Sequence, residues 1–298
     1  MALDKKHGCR ADADVGESSY LMKKDLAGKH HWDNLWLREN RPVYRDVFAS
    51  GYFYRIMRYP FIHLFNLLSS YIQETLNPEC SLLEIGCGGS EWLPAFAKRF
   101  GVRVSGIDYS GQGCDLAKAL LHDAGVEGTI VKADLFEPPE KMIEAYDCVA
   151  SFGVVEHFAD TGACLSAMSA FLKPSGLMVC VIPNMRGFVG WLQKTIDPQV
   201  YSKHIPLSLE ELREVHHECG MKPVFCNFAL PVHLGVVNRS RLKENLLAKL
   251  LWYLIGITNS MIQVFNIILY EWLGINLANS LTSPYILCIS RKEGCVHV

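Results

Sequence analysis

The feature that most limits the possible folds is an alternation, from residue 81 onward, of short apolar runs with amphipathic helical segments. Apolar runs of this length, bounded by turn residues, are typical of buried strands. Strands that alternate with helices predict an α/β architecture: a mostly parallel sheet with right-handed crossovers and helices on both faces. The predicted strands are SLLEIG, VRVSGID, TIVKAD, YDCVASF, LMVCVIP, KPVFCNF and SPYILCIS.

The length of the chain and its alternation of strands and helices predict one domain with insertions. Half of the 298 residues are hydrophobic, which is enough for a large core. We expect a flexible polar tail over residues 1–19 and a helical N-terminal cap over 20–80. The main domain then covers 81–298, with insertions at about 184–207 and 234–282.

Charge and cysteine usage exclude several classes of partner. The formal net charge is −2 and no long basic run is present, so we expect no nucleic acid partner. The eleven cysteines are scattered singly, without C-x-x-C pairs, which favours reduced thiols and no metal site. The chain opens on a polar stretch without the pattern of a signal peptide, and we therefore expect a cytoplasmic location.

The first predicted strand runs into a glycine-rich turn at residues 86–89. Glycine lets the backbone approach a ligand closely, and a helix is predicted from about Ser90. A dinucleotide site would have a third glycine at position 91 and a pyrophosphate at the helix N-terminus. This chain has Glu91 there, and Glu84 adds a second carboxylate. A ligand with positive charge and no phosphate suits such a turn better, and S-adenosylmethionine, with its sulfonium and ammonium groups, is one.

The next three strands end in residues that could bind other parts of the same ligand. Asp108 ends the second strand and can accept hydrogen bonds from ribose hydroxyls. Asp134 ends the third strand and can accept from an adenine amino group, with the backbone of Leu135 at the ring. Ser151 and Phe152 end the fourth strand. Four strand ends with suitable chemistry are more specific than the glycine turn alone.

Five motifs together resemble those of class I S-adenosylmethionine-dependent methyltransferases over about residues 80–230. They are LLEIGCGGS, GIDYS, ADLF, YDCVASFGVVEHF and LKPSGLMVCVIPN. The resemblance implies a Rossmann-like seven-stranded sheet whose last strand is antiparallel and forms a hairpin with KPVFCNF. It also implies cofactor-binding roles: Glu84, Gly86, Cys87 and Gly88 at the methionine end, Asp108 and Tyr109 at the ribose, Asp134 and Leu135 at adenine, and the Ser151 and Phe152 backbone at the methionine amino group.

The segment GVVEHF is similar to the E-x-x-E-H segment of ubiquinone-pathway O-methyltransferases. Glu156 and His157 match it, but Gly153 stands where those enzymes have their first glutamate, so a metal site does not carry over. Following the fourth strand, His157 would lie near the transferred methyl group, either as a general base or as an orienting residue. Glu156 is the second predicted catalytic residue, and its alternative role is to support the ribose or a helix terminus.

Two regions outside these motifs could contact substrate. The insertion after the fifth strand offers Trp191, Tyr201 and His204, for each of which packing within the insertion is the slightly favoured alternative. It ends at a predicted capping box of Ser208 and Glu211.

In the N-terminal cap, Trp32 and Trp36 lie one helical turn apart. They could cover the cofactor or pack on the sheet, and the usual burial of aromatic residues favours packing.

Residues 250–270 contain no charged residue, and the apolar helix predicted over 246–273 has three interpretations. It could form a buried helical subdomain or a homodimer surface, lie in the plane of a membrane, or span one. A span is disfavoured because the strands on either side are predicted to form one hairpin. Asn259, Gln263 and Asn266 recur at helical spacing and mark one polar face.

Taken together, these features predict transfer of a methyl group from S-adenosylmethionine to an oxygen or nitrogen of a small molecule, with apolar or lipid-linked acceptors among the candidates. One alternative is a non-catalytic protein that binds the cofactor or a partner. The other is a nicotinamide-dependent enzyme, which Glu91 disfavours.

Overall fold

A computed structural model describes residues 25–38, 43–238 and 246–293. The tail predicted at 1–19 lies outside the described residues.

Seven strands form a single sheet in the order β3-β2-β1-β4-β5-β7-β6. β7 runs antiparallel to both of its neighbours, β5 and β6, and the other pairings are parallel. The predicted α/β fold class, with its antiparallel last strand, is therefore confirmed. The strands are β1 (Ser81–Ile85), β2 (Arg103–Asp108), β3 (Gly128–Lys132), β4 (Tyr146–Phe152), β5 (Leu172–Pro183), β6 (Met221–Ala229) and β7 (Tyr285–Lys292).

Ten α-helices occur in the described part of the chain. They are α1 (Lys29–Arg38), α2 (Tyr52–Met57), α3 (Tyr59–Ile72), α4 (Trp92–Phe100), α5 (Gly111–Ala124), α6 (Thr161–Ser169), α7 (Phe188–Ile196), α8 (Pro198–Tyr201), α9 (Leu209–Glu218) and α10 (Leu246–Ile267). A π-helical turn, Ile268–Trp272, continues α10. The predicted capping box is confirmed, because the Ser208 hydroxyl accepts from the Glu211 N–H and the Glu211 carboxylate accepts from the Ser208 N–H.

Successive strand residues contribute their side chains alternately to two hydrophobic cores, one on each face of the sheet. Leu82 points into one core together with Phe65 of α3 and Phe96 of α4. The next residue, Leu83, points into the other core, where Met168 lies on α6. Burial on both faces explains why the strands read as continuous apolar runs.

Two boundaries differ from the sequence prediction. β3 ends at Lys132 rather than at Asp134, because the Asp134 carboxylate accepts from the Phe136 N–H and forms a turn instead. In addition, α10 does not build a buried subdomain. Only 11% of its most apolar window is buried, although it packs on α2 and α3.

Candidate active site

A cavity of about 470 Å³ opens at the carboxyl ends of β1, β2 and β4. This is the edge where open α/β sheets bind their ligands. The cavity is lined by eight of the predicted site residues: Glu84, Gly86, Gly88, Asp108, Tyr109, Leu135, Phe152 and His157.

The glycine turn after β1 is shaped by two close approaches. Gly86 has φ +72°, a left-handed conformation that favours glycine, and a Cβ there would lie 2.6 Å from Val154 Cγ2. A Cβ on Gly88 would lie 2.9 Å from Asp108 Oδ2. The turn can therefore lie against Val154 and the Asp108 carboxylate because Gly86 and Gly88 have no side chain.

Asp108 is buried at the end of β2 and is held by backbone donors. Its Oδ2 accepts from the Gly88 N–H at 2.9 Å and its Oδ1 from the Ser110 N–H at 2.7 Å. Burial raises the pKa of this carboxyl, and the two N–H groups act in the opposite direction by stabilising the charged form. Both oxygens keep lone pairs that ribose hydroxyls could use.

Glu84 is the most deeply buried carboxyl of the cavity wall. The Ser90 hydroxyl donates to its Oε2 at 2.7 Å. Burial raises the pKa of Glu84 to about 8, and the Ser90 hydrogen bond offsets part of that shift. A cation bound nearby would favour the ionised form, so this position suits a positively charged ligand.

A segment before α1 adds a carboxylate that sequence reasoning missed. Asp25 pairs with Phe158 in an antiparallel bridge, and the Leu26 N–H donates to the His157 carbonyl oxygen at 2.8 Å. Asp25 Oδ2 then accepts from Trp32 Nε1 at 2.6 Å and from the Tyr109 hydroxyl. The segment thereby ties the N-terminal cap to the ends of β2 and β4.

Trp36 of α1 lies over the glycine turn, and Trp32 of the same helix lies against His157. The two tryptophan rings stack with centroids 6.3 Å apart, and both line the cavity. A Cβ on Gly88 would lie 2.9 Å from the Trp36 indole. The sequence left two interpretations of these tryptophans, packing on the sheet or covering the cofactor. The structure favours tryptophans that cover the cavity.

Carboxylates outnumber cations in the cavity wall. Asp25, Glu84, Glu91 and Asp108 line it, and among the lining residues that the structure describes, Arg58, which forms an ion pair with Glu91, is the one Lys or Arg. Such a wall favours a positively charged ligand and disfavours a pyrophosphate.

His157 follows β4 in a short 3₁₀ turn, Val155–His157. Its Nδ1 lies 2.7 Å from the Lys203 carbonyl oxygen, which can only accept, so Nδ1 carries the proton and Nε2 keeps its lone pair. Burial, with a further contribution from His204, lowers the pKa of His157 to about 4. The ring is therefore neutral near neutral pH and presents Nε2 as an acceptor, although burial makes it a weaker base than a free imidazole.

Glu156, His157 and His204 form a cluster whose ligand atoms all lie within 4.8 Å of one another. His204 Nδ1 lies 2.9 Å from the Val200 carbonyl oxygen, so both rings have Nε2 available. Burial raises the pKa of Glu156 to about 8, and its Oε2 has no hydrogen-bond partner among the described residues. The three residues could hold a divalent ion in place of the ligand lost at Gly153. The sequence-based expectation of no metal stays a prediction.

The remaining predicted site residues do not line the cavity. Cys87 is buried with its side chain against Gly106, Ser151 is fully buried, and the carboxylate of Asp134 is used in its own turn. Trp191 is 60% exposed, and Tyr201 faces Lys194. Backbone contacts to the cofactor remain predictions for Cys87 and Ser151, as do substrate contacts for Trp191, Tyr201 and His204.

Comparison with known proteins decides the class. The model of the family described as "Methyltransferase domain" matches residues 53–224, more than half of the chain. The chain belongs to this methyltransferase family. Membership confirms the predicted class and its cofactor, S-adenosylmethionine. The ubiquinone biosynthesis O-methyltransferase of Saccharophagus degradans is 32% identical over 111 residues, which are 37% of this chain and 47% of that protein. The chain thus spans about half the length of the curated relatives it matches.

Solved structures share the fold at low sequence identity. The geranyl diphosphate C-methyltransferase of Streptomyces coelicolor has a TM-score of 0.53 at 16% identity, over 89% of this chain and 96% of that one. The [4+2]-cyclase SpnF has a TM-score of 0.52 at 15% identity, over 77% and 81% of the two chains. The fold alone therefore does not fix the reaction.

Proposed function

We propose that this protein transfers a methyl group from S-adenosylmethionine to an oxygen or nitrogen of a small-molecule acceptor. The observation that carries the proposal is the carboxylate-lined cavity at the ends of β1, β2 and β4, in a chain of the methyltransferase family. Its wall presents acceptors for ribose hydroxyls and negative charge for a cationic ligand.

Named residues would hold the cofactor. Asp108 would accept from the ribose, Glu84 would face the positively charged methionine end, and Leu135 would contact the adenine ring. The cofactor supplies a methyl group on a sulfonium, which is open to direct displacement by an acceptor atom. Trp36, which covers the glycine turn, would exclude water from the cavity.

The acceptor side of the cavity is largely aromatic. Trp92 and Phe152 stack with ring centroids 4.0 Å apart, and Phe61 packs against Trp92 at 4.4 Å. A wall of this kind suits an acceptor with an apolar or aromatic body. A hydroxyl or neutral amine on that body could take the methyl group, and His157 Nε2, which is neutral and has its tautomer fixed by Lys203, could accept the proton that the acceptor atom releases as it is methylated.

The test has a binding arm and a transfer arm. Calorimetry should show micromolar affinity for S-adenosylmethionine and S-adenosylhomocysteine and no binding of NAD. Labelled S-adenosylmethionine should then transfer its methyl group to at least one member of a panel of apolar phenols and amines. Absence of binding to both adenosyl ligands would refute the site, and binding of NAD would favour the nicotinamide alternative. Tight cofactor binding without transfer to any phenol or amine would favour the non-catalytic alternative, for which the departure at Gly153 is the sequence support.

A further inference from the structure

One face of α10 exposes a continuous apolar stripe. Residues four apart lie on the same side of a helix, and Tyr253, Ile257, Met261 and Phe265 are each between 53% and 68% exposed. These four side chains are therefore turned away from the domain that carries the helix.

Three polar residues of α10, Asn259, Gln263 and Asn266, face the domain. Gln263 and Asn266 are fully buried. Asn266 Nδ2 donates to the Val232 carbonyl oxygen at 2.7 Å, and Asn259 Oδ1 accepts from the Leu234 N–H at 2.8 Å. A surface helix of a protein surrounded by water has the opposite arrangement, with its apolar stripe inside and its polar residues outside. The inverted pattern indicates an apolar environment outside the helix.

The apolar area extends to neighbouring elements. α2 packs against α10 and exposes Tyr52 and Phe53, while Trp272 and Leu281 are exposed after it. We call the exposed apolar residues of α2, α10 and residues 268–281 the α10 surface. It comprises more than a dozen exposed large apolar side chains, and extended apolar surface of this kind marks sites that contact proteins or membranes.

We propose that the α10 surface docks on a lipid bilayer, with α10 lying in the membrane plane. No charged residue occurs between Lys249 and Glu271, and an 18-residue window of this stretch has a mean hydropathy of 1.4. Trp252 and Tyr253 lie near one end, and Tyr270 and Trp272 near the other. Tryptophan and tyrosine are the residues that membrane interfaces favour.

An in-plane position follows from how the helix is tied to the domain. β6 before it and β7 after it are hydrogen-bonded to each other in one sheet, so both ends stay on the same side of the membrane. The inner face of α10 is bonded to Val232 and Leu234 and is not free to meet lipid. Only the outer stripe remains, as in interfacial helices. Met57 of the α10 surface precedes Arg58, a cavity residue, so a docked bilayer would lie beside the cavity.

The experiment is co-sedimentation of the purified full chain with vesicles of phosphatidylcholine containing about a quarter phosphatidylglycerol. The double variant I257D/M261D places two carboxylates in the stripe and should weaken binding more than about a hundredfold. The matched control is V224D, which changes a side chain that is 54% exposed on β6 and lies outside the α10 surface; it should bind vesicles like the wild type. Circular dichroism and thermal unfolding check that all three proteins fold.

A second measurement follows the depth of contact. Tryptophan fluorescence should be quenched by brominated lipids, and W272F should lose part of that quenching because Trp272 is 75% exposed on the same surface. Wild-type binding that I257D/M261D leaves unchanged would overturn the proposal. The proposal would also be overturned if the wild-type protein did not bind vesicles but formed a dimer, and I257D/M261D dissociated that dimer. The α10 surface would then be covered by a second copy of the chain. These readouts do not depend on methyl transfer, so they separate this proposal from the proposed function.

Discussion

Replacing Asp108 with asparagine tests the centre of the candidate site without changing its shape. Each carboxylate oxygen of Asp108 accepts from a backbone N–H, from Gly88 and from Ser110. The amide of the D108N variant would present an NH₂ group to one of these donors and lose an acceptor for the ribose. Hydrogen bonds to a charged group contribute about 1.5–3 kcal/mol each, so loss of one predicts roughly 10- to 150-fold weaker binding of S-adenosylhomocysteine.

Isothermal titration calorimetry measures this loss, and thermal unfolding shows whether the variant is folded. The matched control is D115N, which makes the same chemical change at an exposed carboxylate on α5, paired with Lys118. D115N should bind like the wild type. A folded D108N protein whose affinity stays within about threefold of the wild type would show that Asp108 does not contact the ligand.

Three further predictions follow from the same geometry. The pKa of Glu156 is raised to about 8 in the fold, so folding favours its protonated form, and the free energy of unfolding falls as pH rises from about 4.5 to about 8. Between about pH 5 and about pH 8, denaturant unfolding should therefore show a smaller loss of stability for E156Q than for the wild type, and equal losses would contradict the shift. H157Q should lower kcat by about 10²- to 10⁴-fold while the affinity for S-adenosylhomocysteine stays unchanged. An unchanged kcat in a rapid-quench assay would argue that His157 orients its neighbours and does not act as a base. W36A should weaken S-adenosylhomocysteine binding in calorimetry by about tenfold, because the indole covers Gly88. The control W191A, which removes an exposed indole, should bind S-adenosylhomocysteine like the wild type. Equal losses of affinity in the two variants would contradict a covering role for Trp36.

Local signals made much of the fold predictable from the sequence. The ends of β1, β2 and β4 were predicted to within a residue because an acid or a glycine follows each apolar run directly. The capping box at Ser208 was also predictable, since its two partners are three residues apart. The predicted end of β3 at Asp134 is wrong, because an aspartate after a strand can close a turn as well as face a ligand, and here its carboxylate closes a turn.

Contacts between residues that are far apart in the chain could not be predicted from local sequence patterns. Asp25 lies next to Phe158 in space, and nothing in the sequence around either residue predicts that bridge. The polar residues of α10 were recognised as one face, but composition does not tell which face meets the protein. The Asn266 contact with Val232 decides that question, and it depends on a loop that folds back after β6.

The position of β7 has a consequence for the order in which the chain can fold. β7 lies between β5 and β6 and is the only strand paired with β6 in the described sheet. A ribosome makes β6, then α10, and only afterwards residues 285–292. Until those residues emerge, β5 has an open edge and β6 has no neighbour, a state that is prone to aggregation. The apolar helix is thus synthesised before the strand that completes the sheet, so a nascent chain exposes it while the domain is still open.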